Sequence, residues 1–343
     1  MNLTQHSHNS PERTAQDRSD PRPDQCESID LPLVSVVIPA YNASRYVREA
    51  LQSVVDQHYA PIEILLVDDG STDDTVELVR KHFPQVRIIS QPNSGVATAR
   101  NTGLDQAAGD FVCFLDADDG WYPGKLHAQV SHLRAHPETG AAYHAWRVWL
   151  PEADGHFQAL PDLPRQDPAT IDPEKSGWIY PQLLMDCIVH TSSVMIRRAW
   201  LEKVGRFKPD LINGEDYDFW LRLSRLTRID KLAGVYSFYR GSPGSLTRSV
   251  KPINYEYEVI SSALARWGRV APDGRELPKE QIERRLGKLA FDFAYGHYLG
   301  GSPRLARRAS LQALRHDPSR LKAVFFYLAS LFRKERHEAM SSR

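Results

Sequence analysis

Phe111-Val-Cys-Phe-Leu-Asp-Ala-Asp-Asp119 decides the reading of this chain. Five apolar residues run without a break into four residues of which three are acidic. A short, continuous apolar run is the pattern of a strand buried on both faces of a sheet. Carboxylates packed this closely repel and raise one another's pKa unless a cation holds them together. Oxygen-only ligands favour a hard ion, Mg2+ or Mn2+. A metal at the carboxyl end of such a strand serves a phosphate-bearing substrate in the crevice outside the sheet. A solvated Asp-rich turn is the bland alternative, and the upstream sequence weighs against it.

Upstream, strands and helices alternate. Leu33–Ile38 reads as a buried strand closed by Pro39. Ser44–Asp56 reads as a helix with Ser44 as N-cap and Val47, Leu51 and Val54 on one face. Ile62–Val67 is a second strand, and Thr72 or Asp73 caps the helix that carries Val76, Leu78 and Val79. Val86–Ile89 is a third strand, and Ser94–Ala107 a helix packing through Val96, Ala99 and Leu104. With Phe111–Leu115 as fourth strand, the pattern predicts a mostly parallel sheet with helices on both faces. Right-handed crossovers then bring the strand ends to one edge. Three loops meet there: Pro39-Ala-Tyr-Asn42, Val67-Asp-Asp-Gly-Ser71 and Asp116-Ala-Asp-Asp119.

Residues 1–30 contain almost no large apolar side chain and are expected to be a disordered tail. They show no charged-then-apolar start, so no signal peptide is expected. No uncharged apolar run approaches a bilayer's thickness, and a cytoplasmic protein is the default expectation. Cys26, Cys113 and Cys187 show no paired or metal-like spacing, which fits a reducing compartment. The 43 basic and 43 acidic residues cancel, giving no reason to expect nucleic acid as a partner. Residues 151–176, rich in Pro and Asp, read as a loop. Helix, strand and helix follow at Ile179–Leu184, Ser193–Ile196 and Asp216–Leu226. After Pro252 the pattern becomes all-helical: Asn254–Trp267, Lys279–Leu299, Pro303–His316 and Ser319–Arg333. The expected organisation is therefore a tail (1–30), an α/β domain (31–250) and a helical region (251–343).

In that last region, residues 301–343 hold ten Lys/Arg against three acids. Leu321, Val324, Phe325, Leu328, Leu331 and Phe332 make an apolar stripe beside these cations. Such a helix can lie on an anionic membrane, as a lipid-linked acceptor would require, or pack against the preceding helix.

The ordered motifs Val34-Ser-Val-Val-Ile-Pro-Ala-Tyr-Asn42, Val67-Asp-Asp-Gly-Ser-Thr-Asp73, Gly95 with Ala99-Arg-Asn-Thr-Gly103, and Phe114-Leu-Asp-Ala-Asp-Asp119 with Trp121, Pro123 and Leu126 resemble the inverting family 2 glycosyltransferases. The resemblance spans about residues 33–245. It implies a GT-A fold, Rossmann-like, and a nucleotide-diphosphate sugar donor, with UDP-sugar the expected one. It implies that Asp69, and less directly Asp68, contact the base, and that Asp116 approaches the ribose or diphosphate. Asp118 would hold Mg2+ or Mn2+ with help from Asp119, while Pro39, Tyr41 and Gly95 shape the nucleotide pocket. Gly214-Glu-Asp-Tyr-Asp-Phe-Trp220 resembles the family segment that carries the catalytic base, which points to Asp216 with Glu215 as second candidate. Carboxylates at a helix N-terminus are stabilised as anions, so plain helix capping is the competing account of this segment.

Arg100 and Asn101 lie on the third helix, within reach of the crevice or on the surface. Tyr239-Arg240 and Gly241–Ser245 resemble a segment that closes over the diphosphate, with Arg240 as a phosphate clamp or, equally, a surface arginine. Thirteen histidines are scattered; His132 and His136 share a helix face in a packing or surface role, and His190 beside Thr191 can line an acceptor pocket.

Processive members of the family carry Gln-x-x-Arg-Trp and membrane spans. Here Ala263 stands where Gln would precede Arg266-Trp267, so a non-processive transferase is expected. Its acceptor would be a saccharide or a lipid-linked hydroxyl, and peripheral contact at the inner face of the plasma membrane through the C-terminal helices is the matching expectation. Two other readings share the pattern. A sugar nucleotidyltransferase needs a Gly-rich basic loop after the first strand, which Pro39-Ala-Tyr-Asn42 does not supply. A catalytically silent nucleotide-sugar-binding or scaffold protein would have lost its metal or base carboxylates, and both sets persist.

Overall fold

The computed structural model describes residues 31–152, 154, 157, 163, 167–241 and 251–333. The described residues from Pro32 onward form one compact unit. The tail at 1–30 and most of the Gly241–Ser245 segment lie outside the described residues, as does much of the 151–176 loop.

In chain order the elements are β1 (Val34–Ala40), α1 (Val47–Val55), β2 (Ile62–Asp68), α2 (Thr75–His82), β3 (Arg87–Ser90), α3 (Val96–Gln106), β4 (Phe111–Phe114), β5 (Gly120–Trp121), α4 (Lys125–Ala135) and β6 (Thr139–Trp149). Then come α5 (Tyr180–Met185), β7 (Met195–Arg197), α6 (Arg198–Val204), α7 (Glu215–Leu223) and β8 (Arg228–Arg240). Among the described residues, four helices follow: α8 (Tyr255–Trp267), α9 (Lys279–Gly300), α10 (Pro303–His316) and α11 (Leu321–Leu331).

The strands form one eight-stranded sheet in the order β3-β2-β1-β4-β7-β6-β8-β5. The first four are mutually parallel, with Val34 opposite Ile62 on one side and Phe111 on the other. β7 runs antiparallel to both β4 and β6. β4 is covered on both faces, and Phe111 through Leu115 are all buried. That explains its unbroken apolar sequence. With β2, β1 and β4 adjacent and parallel, the ends of all three face one edge, as expected.

Gly103 sets how closely α3 approaches the sheet. A Cβ there would overlap Val37 Cγ1 on β1. α3 buries Ala97, Ala99, Arg100, Gly103 and Leu104, so an arginine shares its inward face.

Some sequence expectations are corrected. Ser44 does not cap α1, which begins at Val47 without a side-chain cap. The Ser44 N–H instead donates to Asp73 Oδ2, and the Ala43 N–H donates to Thr75 Oγ1. These bonds fasten the loop after β1 to the start of α2. The long strands β6 and β8, paired in parallel over Thr139–Trp149 with shifts in register, were not expected. The boundary expected near residue 250 falls within 242–250, outside the described residues. Beyond it, Val259, Ile260 and Ala263 of α8 and Ile282, Leu286 and Leu289 of α9 belong to the same core as Val37, Phe114 and Trp220. Among the described residues, no helix is long and apolar enough to cross a membrane.

Candidate active site

The site forms where the loop after β4 and the start of α7 meet a single turn, Thr191–Ser193, beside the end of β8, with the loop after β2 on the same edge of the sheet. Asp68 ends β2 and Asp69 follows it, and both are buried. Asp68 Oδ1 accepts from the Ser71 N–H. Asp69 Oδ1 accepts from the Ser94 N–H and Gln91 Nε2, and its Oδ2 accepts from the Gly95 N–H at 2.8 Å. The Asp69 carboxylate thus holds the loop that opens α3. Gly70 makes the intervening turn at φ 80°, and a side chain there would press on Asn93 N at 2.9 Å. Tyr41 is half exposed after β1, while Asn42 Oδ1 accepts from the Thr72 N–H.

Arg100 organises the centre. Only 4% exposed, it donates from Nη2 to Asp116 Oδ1 and from Nη1 to Glu215 Oε1, each at 2.8 Å. One guanidinium on α3 therefore joins the loop after β4 to the start of α7, 115 residues along the chain from Arg100. Burial pushes the Asp116 carboxyl up, but the charge and hydrogen bond of Arg100 outweigh that and leave it below the ordinary range. For Glu215 burial wins, and its carboxyl stays raised despite Arg100. Asn101, next along α3, exchanges two hydrogen bonds with the Phe207 backbone.

The rest of the acidic loop divides by environment. Asp119 is 1% exposed. Its Oδ2 accepts from Ser192 Oγ at 2.6 Å and its Oδ1 from the Arg240 N–H at 3.1 Å. Burial, then the charges of Asp116 and Asp118, hold its carboxyl well above the ordinary range. Asp118 is raised to about 6, by burial first and the Asp116 charge second. Trp121 Nε1 donates to the Ser192 carbonyl and fixes the turn from below. On its other side Thr191 Oγ1 donates to Asp216 Oδ2 at 3.2 Å. Asp216 is partly exposed, whereas its neighbour Glu215 is buried against Arg100. Adjacent residues of one turn therefore hold Asp216 and Asp119.

Arg240, expected over a diphosphate, is 3% exposed. Nη2 meets Glu49 Oε2, Nε donates to the Asp118 carbonyl, and the guanidinium lies over the rings of Tyr46, Trp149, Phe157 and Phe238. This geometry makes it a strut behind the acidic loop. His190 stacks on Trp146 at 5.3 Å and meets Tyr239 edge-on, with Nε2 3.8 Å from Asp119 Oδ2. Burial lowers its pKa, against the pull of Asp116 and Asp216. His132 pairs with Asp230 and stacks on His136, a packing role.

A divalent cation fits this donor set. Among the described residues no cluster of three or more His, Cys, Asp or Glu forms an all-protein cage. The local chemistry is that of one available carboxylate, Asp118, held near neutrality by burial and a neighbouring charge. Mg2+ and Mn2+ sites that serve phosphates commonly use one or two carboxylates and draw the remaining oxygens from substrate and water.

Sequence reasoning weighed Arg100 equally for surface and crevice, and overlooked Ser192, Glu49 and Trp146. A signal for Arg100 existed: it lies three residues after Ala97 and four before Leu104, on the buried stripe.

Residues 35–204 match the family described as Glycosyl transferase family 2. An uncharacterized glycosyltransferase of Rickettsia prowazekii (strain Madrid E) is 28% identical over 204 residues, 59% of this chain and 62% of that protein. Chondroitin synthase of Escherichia coli is 29% identical over 253 residues, 69% of this chain and 33% of the synthase. The matched stretch thus spans less than two thirds of either relative. Among solved structures, S. aureus TarS 1-349 in complex with UDP-GlcNAc superimposes with a TM-score of 0.59 at 20% identity, covering 87% of this chain and 90% of that one. A mannosyltransferase from Pyrobaculum calidifontis, in complex with GDP-Man and Mn2+, gives 0.52 at 20% identity over 88% and 86%. The GT-A-like fold is common to all three.

Proposed function

We infer, from a chain whose residues 35–204 make it a family 2 glycosyltransferase, that it is an inverting, non-processive enzyme moving a sugar from a UDP-sugar to an acceptor hydroxyl. The observation that carries this reading is the Thr191–Ser192 turn. It holds the partly exposed carboxylate of Asp216 beside the loop of Asp116, Asp118 and Asp119. The solved complexes of similar fold with UDP-GlcNAc, and with GDP-Man and Mn2+, support the donor class and the metal.

Asp216 is the base because Glu215 is committed to Arg100. Its carboxylate takes the acceptor's hydroxyl proton as the acceptor oxygen bonds to the anomeric carbon. The bond from that carbon to the departing nucleoside diphosphate breaks on the opposite face, inverting the configuration. Thr191 orients the base through Oδ2, and Arg100 keeps Asp116 anionic. Asp118 would hold Mg2+ or Mn2+, which when bound supplies charge neutralisation to the leaving diphosphate. Asp68, Asp69, Pro39, Tyr41 and Gly95 line the edge where the nucleotide would lie, with Asp69 shaping the α3 N-terminus through the Ser94 and Gly95 amides.

Non-processive transfer is favoured by what surrounds Arg266-Trp267. Ala263 is buried and its carbonyl accepts from Tyr180, while Trp267 packs edge-on against the Tyr180 ring, so this stretch serves as a brace in α8. A lipid-linked acceptor suits the surface of the last helices, and a peripheral cytoplasmic position goes with it.

The test is UDP release from UDP-GlcNAc with Mn2+, alongside UDP-induced thermal stabilisation. Asp216→Asn should lower turnover by about 100-fold or more, the scale of a general base, and keep Mn2+-dependent UDP stabilisation. Asp118→Ala should lose both. Full turnover in purified Asp216→Asn would overturn the assignment.

A further inference from the structure

α11 exposes most of its apolar stripe. Ala323, Phe326 and Ser330 point inward, and they account for its packing on α9 and α10. Leu321, Val324, Phe325, Leu328, Leu331 and the following Phe332 point outward, with Leu321 74%, Phe325 58% and Phe332 88% exposed. Core packing therefore explains one side of this helix and leaves the larger side unaccounted for. The outward stripe continues onto the end of α9. There the Tyr298 ring lies 6.0 Å from Phe325, and Tyr295 and Leu299 are about half exposed. Monomeric proteins rarely present a continuous apolar surface of this kind without a use for it.

The charges around the stripe say what covers it. From Gly301 to Arg333 there are seven Lys/Arg and one acid, Asp317. On α10 the exposed Arg304, Arg308 and Arg315 follow at spacings of four and seven, which places them along one side. Arg307 ties that helix to α11 through the Ser330 carbonyl at 2.8 Å. Lys322 is also exposed, and the Arg333 guanidinium lies over the Tyr298 ring. An apolar stripe bordered by cations, with tyrosines at its margin, is the design of a helix lying in a lipid–water interface. Self-association through this face would crowd like charges together.

We propose that the outward face of α11, with the end of α9 and the arginine row of α10, docks on an anionic lipid surface. α11 lies in the interface plane, with Phe325, Leu328 and Phe332 inserted and the α10 arginines against the headgroups. The face lies beyond the stretch that matches the family, residues 35–204. It also stands apart from the proposed chemistry, since lipid docking needs no sugar donor.

Flotation of the full chain with phosphatidylcholine vesicles, with and without phosphatidylglycerol, tests it. The unaltered protein should float with the anionic vesicles only, and added salt should release it. Phe325→Asp combined with Leu328→Asp should cut binding at least about tenfold. Each charge removed by Arg304→Gln or Arg308→Gln should weaken it by about fivefold. UDP-induced thermal stabilisation with Mn2+ should be the same in all variants, which separates loss of docking from loss of folding or of donor binding. Absence of flotation, flotation unaffected by the Asp pair, or a dimer by light scattering that the Asp pair dissolves would each overturn the proposal.

Discussion

Replacing Arg100 by Met removes a buried cation while keeping most of its stem volume. The guanidinium makes two charge-assisted hydrogen bonds of 2.8 Å, to Asp116 and to Glu215. At roughly 1.5–3 kcal/mol for each bond to a charged group, the two together set an upper range of about 3–6 kcal/mol. The halves are unequal. The Asp116 side chain is 28% exposed and regains water once the arginine is gone, whereas that of Glu215 is 9% exposed and does not. Weighting the Glu215 side gives about 3–4 kcal/mol, inside the 3–5 kcal/mol typical of breaking one partner of a buried pair. Urea unfolding followed by tryptophan fluorescence would read this as a midpoint about 1 M lower.

The penalty also has a defined pH sign. Burial already raises the Glu215 carboxyl above its ordinary value, and losing Arg100 raises it further. An acid whose folded pKa exceeds its unfolded one contributes stability at low pH and loses it as pH rises. The Arg100→Met penalty should therefore grow as pH rises above the ordinary carboxylate range. Adding Glu215→Gln and Asp116→Asn should recover at least half of it, because the triple variant leaves no buried charge unpaired. A penalty below about 1 kcal/mol, or one flat with pH, refutes the view that Arg100 holds the two motifs together.

Two further predictions concern the metal loop and the sheet. Asp118, raised to about 6, must lose its proton to hold a cation, so Mn2+-dependent UDP stabilisation should decline as pH falls through about 6. Without metal the sign reverses: the raised carboxyl favours the fold at low pH, and that advantage is lost as pH climbs through about 6. Thermal shifts on the unaltered chain and on Asp118→Asn, whose profile should lose the component near pH 6 while keeping those of Asp119 and Glu215, check both; identical profiles would contradict the assignment. Gly103→Ala places a methyl group against Val37 Cγ1 and should cost about 1–3 kcal/mol as overpacking. Val37→Ala should recover part of that loss. Unchanged stability in the single variant would mean that α3 can shift away from β1.

What the sequence disclosed and what it withheld divide along one line. β4 could be read because burial on both faces requires an unbroken apolar run, and Phe111–Leu115 meets that demand within five residues. The acidic loops could be read because each follows directly on a strand whose direction the alternation fixes. β6 and β8 escaped because their pairing slips at Ala145 and Val235. The period of two is interrupted there, and Gly140, Ala141 and Ala142 are too small to mark a strand by themselves. The loop anchors escaped for a different reason. Ser44 looks like an N-cap by composition, yet the bond it makes is to Asp73, 29 residues away.

The acidic cluster shows the same division within three residues. Asp116, Asp118 and Asp119 are chemically identical in the sequence, and their surroundings separate them: Arg100 for the first, burial that outweighs the Arg240 charge for the second, Ser192 and the Arg240 amide for the third. Asp216 and Glu215 are separated likewise, by Thr191 and Arg100. Local pattern thus names the set of carboxylates. The long-range contacts assign their tasks: Asp116, Asp119 and Glu215 are tied into the scaffold, whereas Asp118 and the partly exposed Asp216, oriented by Thr191 Oγ1 and the Tyr217 amide, are the two positions where neutral substitution should cost chemistry before it costs stability.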